Sequence, residues 1–155
     1  MIKDWPKKYS FVGPFSEGFA KVKLGVKWGF VDETGKDVVE PKYESAGSFS
    51  LGFAKVKLKN KWGFVDETGK EVVTLKYDDA GYFSEGLAGV KLDGKWSFID
   101  KTGEEVIPPK YDYVWSFREG LARVKLGVKW GYTDKQGNEY WDMTEDQALK
   151  QMENR

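Results

Sequence analysis

Apolar and polar residues alternate along Phe19-Ala20-Lys21-Val22-Lys23-Leu24 and again along Lys27-Trp28-Gly29-Phe30-Val31-Asp32. A period of two sends successive side chains to opposite faces of a β-strand. Gly25-Val26 between the runs suits a two-residue hairpin turn, because Gly accepts the positive φ that such turns need. That loop length fixes the register. Leu24 then faces Lys27, Lys23 faces Trp28, Val22 faces Gly29 and Lys21 faces Phe30. One face carries Ala20, Val22, Leu24, Gly29 and Val31; the other carries Phe19, Lys21, Lys23, Trp28 and Phe30. Both faces hold apolar groups, so the hairpin is expected to be covered on both sides, and a lone hairpin is not stable in water.

The same pattern returns three times. Phe15, Phe49, Phe83 and Phe117 are 34 residues apart, as are Trp28, Trp62, Trp96 and Trp130 and the turn glycines Gly35, Gly69, Gly103 and Gly137. Fixed self-similarity of this length means a repeat architecture. A helical repeat of this period is rejected, because the periodicity within each copy is two and Gly recurs in mid-copy. Counting from Lys7 gives four copies, 7–40, 41–74, 75–108 and 109–142, between a lead at 1–6 and a tail at 143–155. Each copy offers four short strands; in the second they are about 43–49, 53–58, 61–66 and 70–73. Asp66 to Gly69 closes the last hairpin, with Gly supplying the left-handed bulge. Pro41 and Pro108-Pro109 fall at copy junctions, where a missing N–H harms no ladder. The last copy drifts, with Thr133, Asn138 and Tyr140-Trp141 in place of the usual residues, as terminal repeats do. Thr144-Glu145-Asp146-Gln147 then reads as a capping box, with Met143 and Ala148 as its staple. A helix over 145–153 is expected to lie on the last copy as a lid.

The expected fold is therefore all-β: a tandem array of four 34-residue antiparallel β-meander units with a short C-terminal helix. An open twisted array is preferred because the ends are atypical. A closed four-bladed propeller-like ring is the alternative, since a four-stranded meander is also a blade pattern.

The recurring text is Lys-Trp-Gly-Phe-Val-Asp-x-x-Gly-Lys, identical over ten positions at 27–36 and 61–70. Val-Val or Val-Ile, Pro, Lys-Tyr-Asp/Glu and Phe-Ser-Glu-Gly-Leu/Phe-Ala follow it. This text resembles the WG-repeat family of bacterial proteins over about residues 7–142. Departures are Ser97 for the motif Gly in the third copy, and Leu51, Thr74 and Leu75 in the second. The resemblance implies a β-rich binding or scaffolding module and brings no catalytic residue with it. A looser similarity to aromatic cell-wall-binding repeats suggests glycan as a second ligand class.

Composition narrows the chemistry. Lys+Arg and Asp+Glu are 25 each, so no basic excess points to nucleic acid. No run of about 18 apolar residues is present to span a membrane. Met1–Pro6 lacks the apolar core of a signal peptide; the expectation is cytoplasmic by default, or exported if a leader has been removed. Absence of Cys and His removes thiol chemistry and the commonest general base and metal ligand.

Several constellations along the chain could carry chemistry. Trp28, Trp62, Trp96 and Trp130 are expected to be structural repeat core rather than an exposed ladder for sugars. Lys23, Lys57, Lys91 and Lys125 fall opposite them and are expected to lay their stems over the rings. Asp32, Asp66, Asp100 and Asp134 open the Gly turns; one Asp per short loop supplies too few oxygens for calcium, so each is expected to accept turn N–H bonds. Glu-Gly pairs at 17–18, 85–86 and 119–120 are turn residues. A catalytic site is normally singular and breaks a repeat pattern, and none of the breaks Leu51, Ser97 and Trp115 is a plausible acid or nucleophile with an adjacent base. No cofactor, metal or enzyme activity is expected. Tyr82, Tyr113 and Trp115 are large rings that do not recur, and they are the expected partner-binding aromatics. The expected function is a non-catalytic protein–protein interaction or scaffolding module, with a glycan or cell-envelope binding module as the alternative.

Overall fold

The computed structural model describes residues 5–155, so Met1–Asp4 of the expected lead lie outside the described residues. The chain divides into two compact units, Met1–Tyr77 and Asp78–Arg155. Each unit holds two four-stranded antiparallel sheets.

In the first unit, one sheet joins β1 (Phe11–Val12), β2 (Phe19–Leu24), β3 (Lys27–Asp32) and β4 (Asp37–Tyr43) in sequence order, and a second joins β5 (Ser45–Ala46), β6 (Phe53–Leu58), β7 (Lys61–Asp66) and β8 (Glu71–Tyr77). The second unit repeats this with β9 (Asp79–Ala80), β10 (Ala88–Leu92), β11 (Lys95–Ile99) and β12 (Glu105–Tyr111), then β13 (Tyr113–Val114), β14 (Leu121–Leu126), β15 (Lys129–Asp134) and β16 (Glu139–Trp141). The all-β meander array is as the alternation predicts. So is the hairpin register, with Leu24↔Lys27, Lys23↔Trp28, Val22↔Gly29 and Lys21↔Phe30.

The fourth strand of the first three copies departs from expectation. It runs on through the junction, where β4 and β12 carry Pro and β8 carries Thr74-Leu75, and ends at Tyr43, Tyr77 or Tyr111, so the boundaries placed after 40, 74 and 108 fall inside β4, β8 and β12. Tyr43, expected to open the second copy, closes the first sheet instead. The reason is a pair of register shifts: Trp28↔Tyr43 is followed by Phe30↔Val39 and then Val31↔Asp37. Four residues of β4 thus span two of β3, and Pro41 lies in that bulged stretch, where no ladder partner demands its N–H.

Both cores are built where one sheet meets the next within a unit. Phe30, Val39 and Tyr43 of the first sheet pack with Ala46, Phe49, Ala54, Val56 and Val65 of the second. In the second unit, Trp96, Phe98, Ile107 and Tyr111 pack with Val114, Phe117, Ala122 and Val124. Helix α1 (Glu145–Glu153) carries the expected capping box of Thr144 and Gln147. Ala148, Leu149 and Met152 cover Leu121, Tyr132 and Tyr140 of the last sheet, and Met143 joins the same cluster. Ahead of β1, a 3-10 turn at Trp5–Lys8 sets Trp5 against Gly35 and edge-on to Tyr9 and Phe15, at 6.4 and 6.3 Å. Among the described residues no helix is long and apolar enough to cross a membrane.

Candidate functional site

Three kinds of side-chain bond recur, and apart from Tyr9–Asp37, which stays within the first copy, they join neighbouring sheets of a unit. Tyr9 donates its hydroxyl to Asp37 at 2.6 Å and Tyr43 to Glu71 at 2.6 Å, and Tyr111 donates to Glu139. Burial, and then the Asp37 carboxylate, push the Tyr9 hydroxyl up to about 12. Ser16 donates to the Phe49 carbonyl and Ser84 to that of Phe117. Glu17 accepts the N–H groups of Leu51 and Gly52 at 2.6 and 2.9 Å, and Glu85 those of Glu119 and Gly120 at 2.7 and 2.9 Å. These amides are free because Leu51-Gly52 and Glu119-Gly120 all have positive φ, the turn type whose two central N–H groups point away from the hairpin ladder. The Gly-turn aspartates act within their own loops: Asp32 Oδ1 accepts Thr34 N–H, Thr34 O–H and Lys36 N–H at 2.9, 2.6 and 3.1 Å. Asp66 and Asp100 do the same, whereas Asp134 accepts the Gln136 and Asn138 N–H groups and, at Oδ2, the Asn138 side-chain amide and the Tyr140 hydroxyl.

The four repeat tryptophans are not equivalent. Trp96 is buried beneath Tyr113 and Val114 of the following sheet. Trp28 is half-buried against the first-unit core, and Trp62 is also half-buried. Trp130 is 38% exposed. The expectation of core thus fails at Trp130, because no following sheet lies over it. Of the lysines opposite, Lys23, Lys57 and Lys125 lie on the rings, at 5.4, 5.8 and 5.3 Å, while Lys91 does not share this contact with the buried Trp96. A second cation from the same strand joins them, Lys21 on Trp28 at 5.1 Å and Lys55 on Trp62 at 4.9 Å.

In the second unit these features become a site. Trp96, Tyr113, Trp115 and Trp130 form a continuous row with ring centroids 5.6, 4.6 and 4.8 Å apart. Arg123 lies 4.5 Å over Trp130 and 5.6 Å from Trp115. Beside the row opens a cavity of about 510 Å³, and its lining includes Trp115, Arg118, Leu121, Arg123, Tyr132 and Glu145. Phe117 and Leu121 are its buried floor. Arg118 pairs with Glu145, the first residue of α1, at 3.4 Å.

Of the expected aromatics, Tyr113 and Trp115 come together here, 45% and 39% exposed. Tyr82 is 44% exposed on the loop after β9 and does not line the cavity. Sequence reasoning missed Arg118, Arg123 and Tyr132. Their signal lay in aligning the copies: Trp115 stands where the others have Gly13, Gly47 and Gly81, and Arg118 where they have Ser16, Ser50 and Ser84. Arg123 replaces Lys21, Lys55 and Gly89, and Tyr132 replaces Phe30, Phe64 and Phe98. All four departures line one cavity.

Comparison with known proteins bears on the frame rather than the cavity. The family model of the WG containing repeat matches residues 6–28, 28–62, 62–96 and 96–130. No curated protein matches the chain by sequence. Among solved structures, Kluyveromyces lactis Hsv2 with its complete loop 6CD is similar at TM-score 0.51 and 12% identity, over 81% of this chain and 46% of that one. A eukaryotic initiation factor is similar at TM-score 0.52 and 13% identity, over 81% and 40%. The chain spans about half or less of the length of these structures, and at such identity the likeness is one of fold, β-propeller-like repeats of antiparallel meanders.

Proposed function

This chain belongs to the WG-containing repeat family, and on that premise we propose that it is a non-catalytic protein-interaction module that recognises its partner at the aromatic–arginine corner of the second unit. One observation carries the reading. Trp115, Arg118, Arg123 and Tyr132, four of the positions where the fourth copy differs from the other three, converge on one cavity. Stacking a repeat calls for sameness, so four coincident departures need another reason. Trp, Tyr and Arg are also the residues that dominate binding energy at protein interfaces. The non-catalytic part is supported by the cavity's ionisable groups: its single carboxylate, Glu145, is engaged by Arg118, so the lining offers no pair of carboxylates for acid–base work.

The test is quantitative affinity capture from a bacterial extract with the intact chain and with Trp115→Gly. The variant restores the residue of the other three copies, so the frame tolerates it. Proteins retained by the intact chain and lost by the variant support the reading; identical sets overturn it. A second reading, a glycan binder, draws on the cavity's size, which falls in the range of small-ligand sites, and on the exposed face of Trp115. Binding to a glycan array that Trp115→Gly abolishes would favour it.

A further inference from the structure

We propose that the aromatic–arginine corner beside the cavity seats an extended acidic peptide segment of the partner, one carboxylate gripped by Arg123 and a second, two residues along, by Lys125. This deepens the protein-interaction reading and rests on it.

The aromatic faces already hold a cation. Arg123 occupies the slot between Trp115 and Trp130 that a ligand ammonium would need, so a cationic ligand meets like charge. A guanidinium laid on a ring keeps its N–H donors in the plane, pointing outward from the ring edge. That fork matches a carboxylate with two parallel hydrogen bonds. The equivalent Lys21 and Lys55 offer only point charges, and Gly89 offers none. Arg118 already has Glu145 as its partner, whereas no carboxylate pairs with Arg123 among the described residues.

Peptide is favoured over a single acidic sugar by the neighbouring cation. Lys125 follows Arg123 by two residues on β14 and lies 5.3 Å over the same Trp130 ring. Same-face side chains of a strand repeat about every 6.6 Å, and an extended peptide with acids at alternate positions repeats at the same interval. Asp112, whose field reaches Lys125, is itself held by Lys95 at 2.9 Å and by the Gly127 N–H at 2.6 Å. The attraction is local, since the whole chain is balanced at 25 charges of each sign.

The experiment titrates the full chain, ¹⁵N-labelled at tryptophan, with an acetylated and amidated Glu-Ser-Glu-Ser-Glu peptide, its Gln-Ser-Gln-Ser-Gln counterpart and a tri-galacturonate. Saturable shifts of the Trp115 and Trp130 indole N–H signals are expected with the Glu peptide and none with the Gln peptide. Affinity should fall about tenfold in Arg123→Gln and less in Lys125→Gln, and should drop as salt is raised. Arg123 is exposed and its counterpart in the third copy is Gly89, so the variant keeps its fold. No shift with the Glu peptide, undiminished binding by Arg123→Gln, or tighter binding of the uronate than of the peptide would each overturn the proposal. If Trp115→Gly loses captured proteins while the Glu peptide fails to bind, the interaction module stands and this inference falls. If capture is unchanged by Trp115→Gly, both fall.

Discussion

At the scale of the residue, the motif Gly is fixed by what lies across from it. A Cβ built on Gly63 would sit 2.5 Å from the Val73 carbonyl oxygen and 2.9 Å from the Leu75 nitrogen, both backbone atoms of the bulged β8. Backbone cannot swing aside as a side chain can. Gly63→Ala is therefore expected to cost about 2–3 kcal/mol, read as a lowered urea midpoint. Gly127→Ala, at φ 63 with nothing within 4 Å, should cost about 1 kcal/mol, from backbone strain alone. In the third copy Ser97 holds the motif place in the same register, and nothing in the structure explains how its Cβ is accommodated. The Trp beside this Gly was legible as a residue that stacking requires. Its unequal burial was not, because burial turns on neighbours outside the motif, such as Tyr113 against Trp96 where the first unit has Ser45, and the motif reads the same in all four copies.

At the scale of the element, the hairpins were legible because a two-residue loop and a period of two leave one register. The length of the fourth strand was hidden, since a Pro reads as an end unless the bulge that excuses it is seen. Within the units, the sheets are joined by side chains rather than by ladder bonds. The Glu85 clamp on Glu119 and Gly120 holds a carboxyl whose pKa is shifted. Its carboxyl is held below the usual value: burial opposes this, but the Gly120 N–H, Lys135 and the Glu119 N–H outweigh it. A depressed folded pKa gives stability that is present above the unfolded value near 4.3 and is lost as pH falls through the folded one. Glu85→Gln should thus lower the melting temperature at pH 7, by a small amount because the side chain is 31% exposed. The gap to the parent chain should close as melts are run toward pH 3. A gap constant across that range would mean that the amide replaces the carboxylate fully.

At the scale of the molecule, the first and last sheets each carry a cover of different sequence. Trp5 packs on Gly35 much as the Val38 backbone packs on Gly69. Helix α1 covers Leu121 and Tyr140. The helix was legible from its capping box, which is local chemistry. Trp5 was not, since a lone ring in a short lead carries no period. Ala148, the buried centre of the helix face, makes the cover testable. Ala148→Asp would bury a carboxylate among Leu121, Tyr140 and Met152. The helix should undock, shown by rapid proteolytic loss of the tail after Asp142 while the sheets persist by circular dichroism. The cavity was legible only in part. Tyr113 and Trp115 stood out as unrepeated rings, whereas Arg118 and Arg123 passed as ordinary surface charge until the fold set them beside those rings.

Four copies of one backbone frame, of which one carries the cavity, make binding valency a matter of a few letters. Gly47, Ser50, Lys55 and Phe64 stand in the second copy where Trp115, Arg118, Arg123 and Tyr132 stand in the fourth. Writing Gly47→Trp, Ser50→Arg, Lys55→Arg and Phe64→Tyr into the chain should raise the stoichiometry for the Glu peptide from one to two by calorimetry. A partner that displays two such segments would then gain avidity with no tighter individual contact.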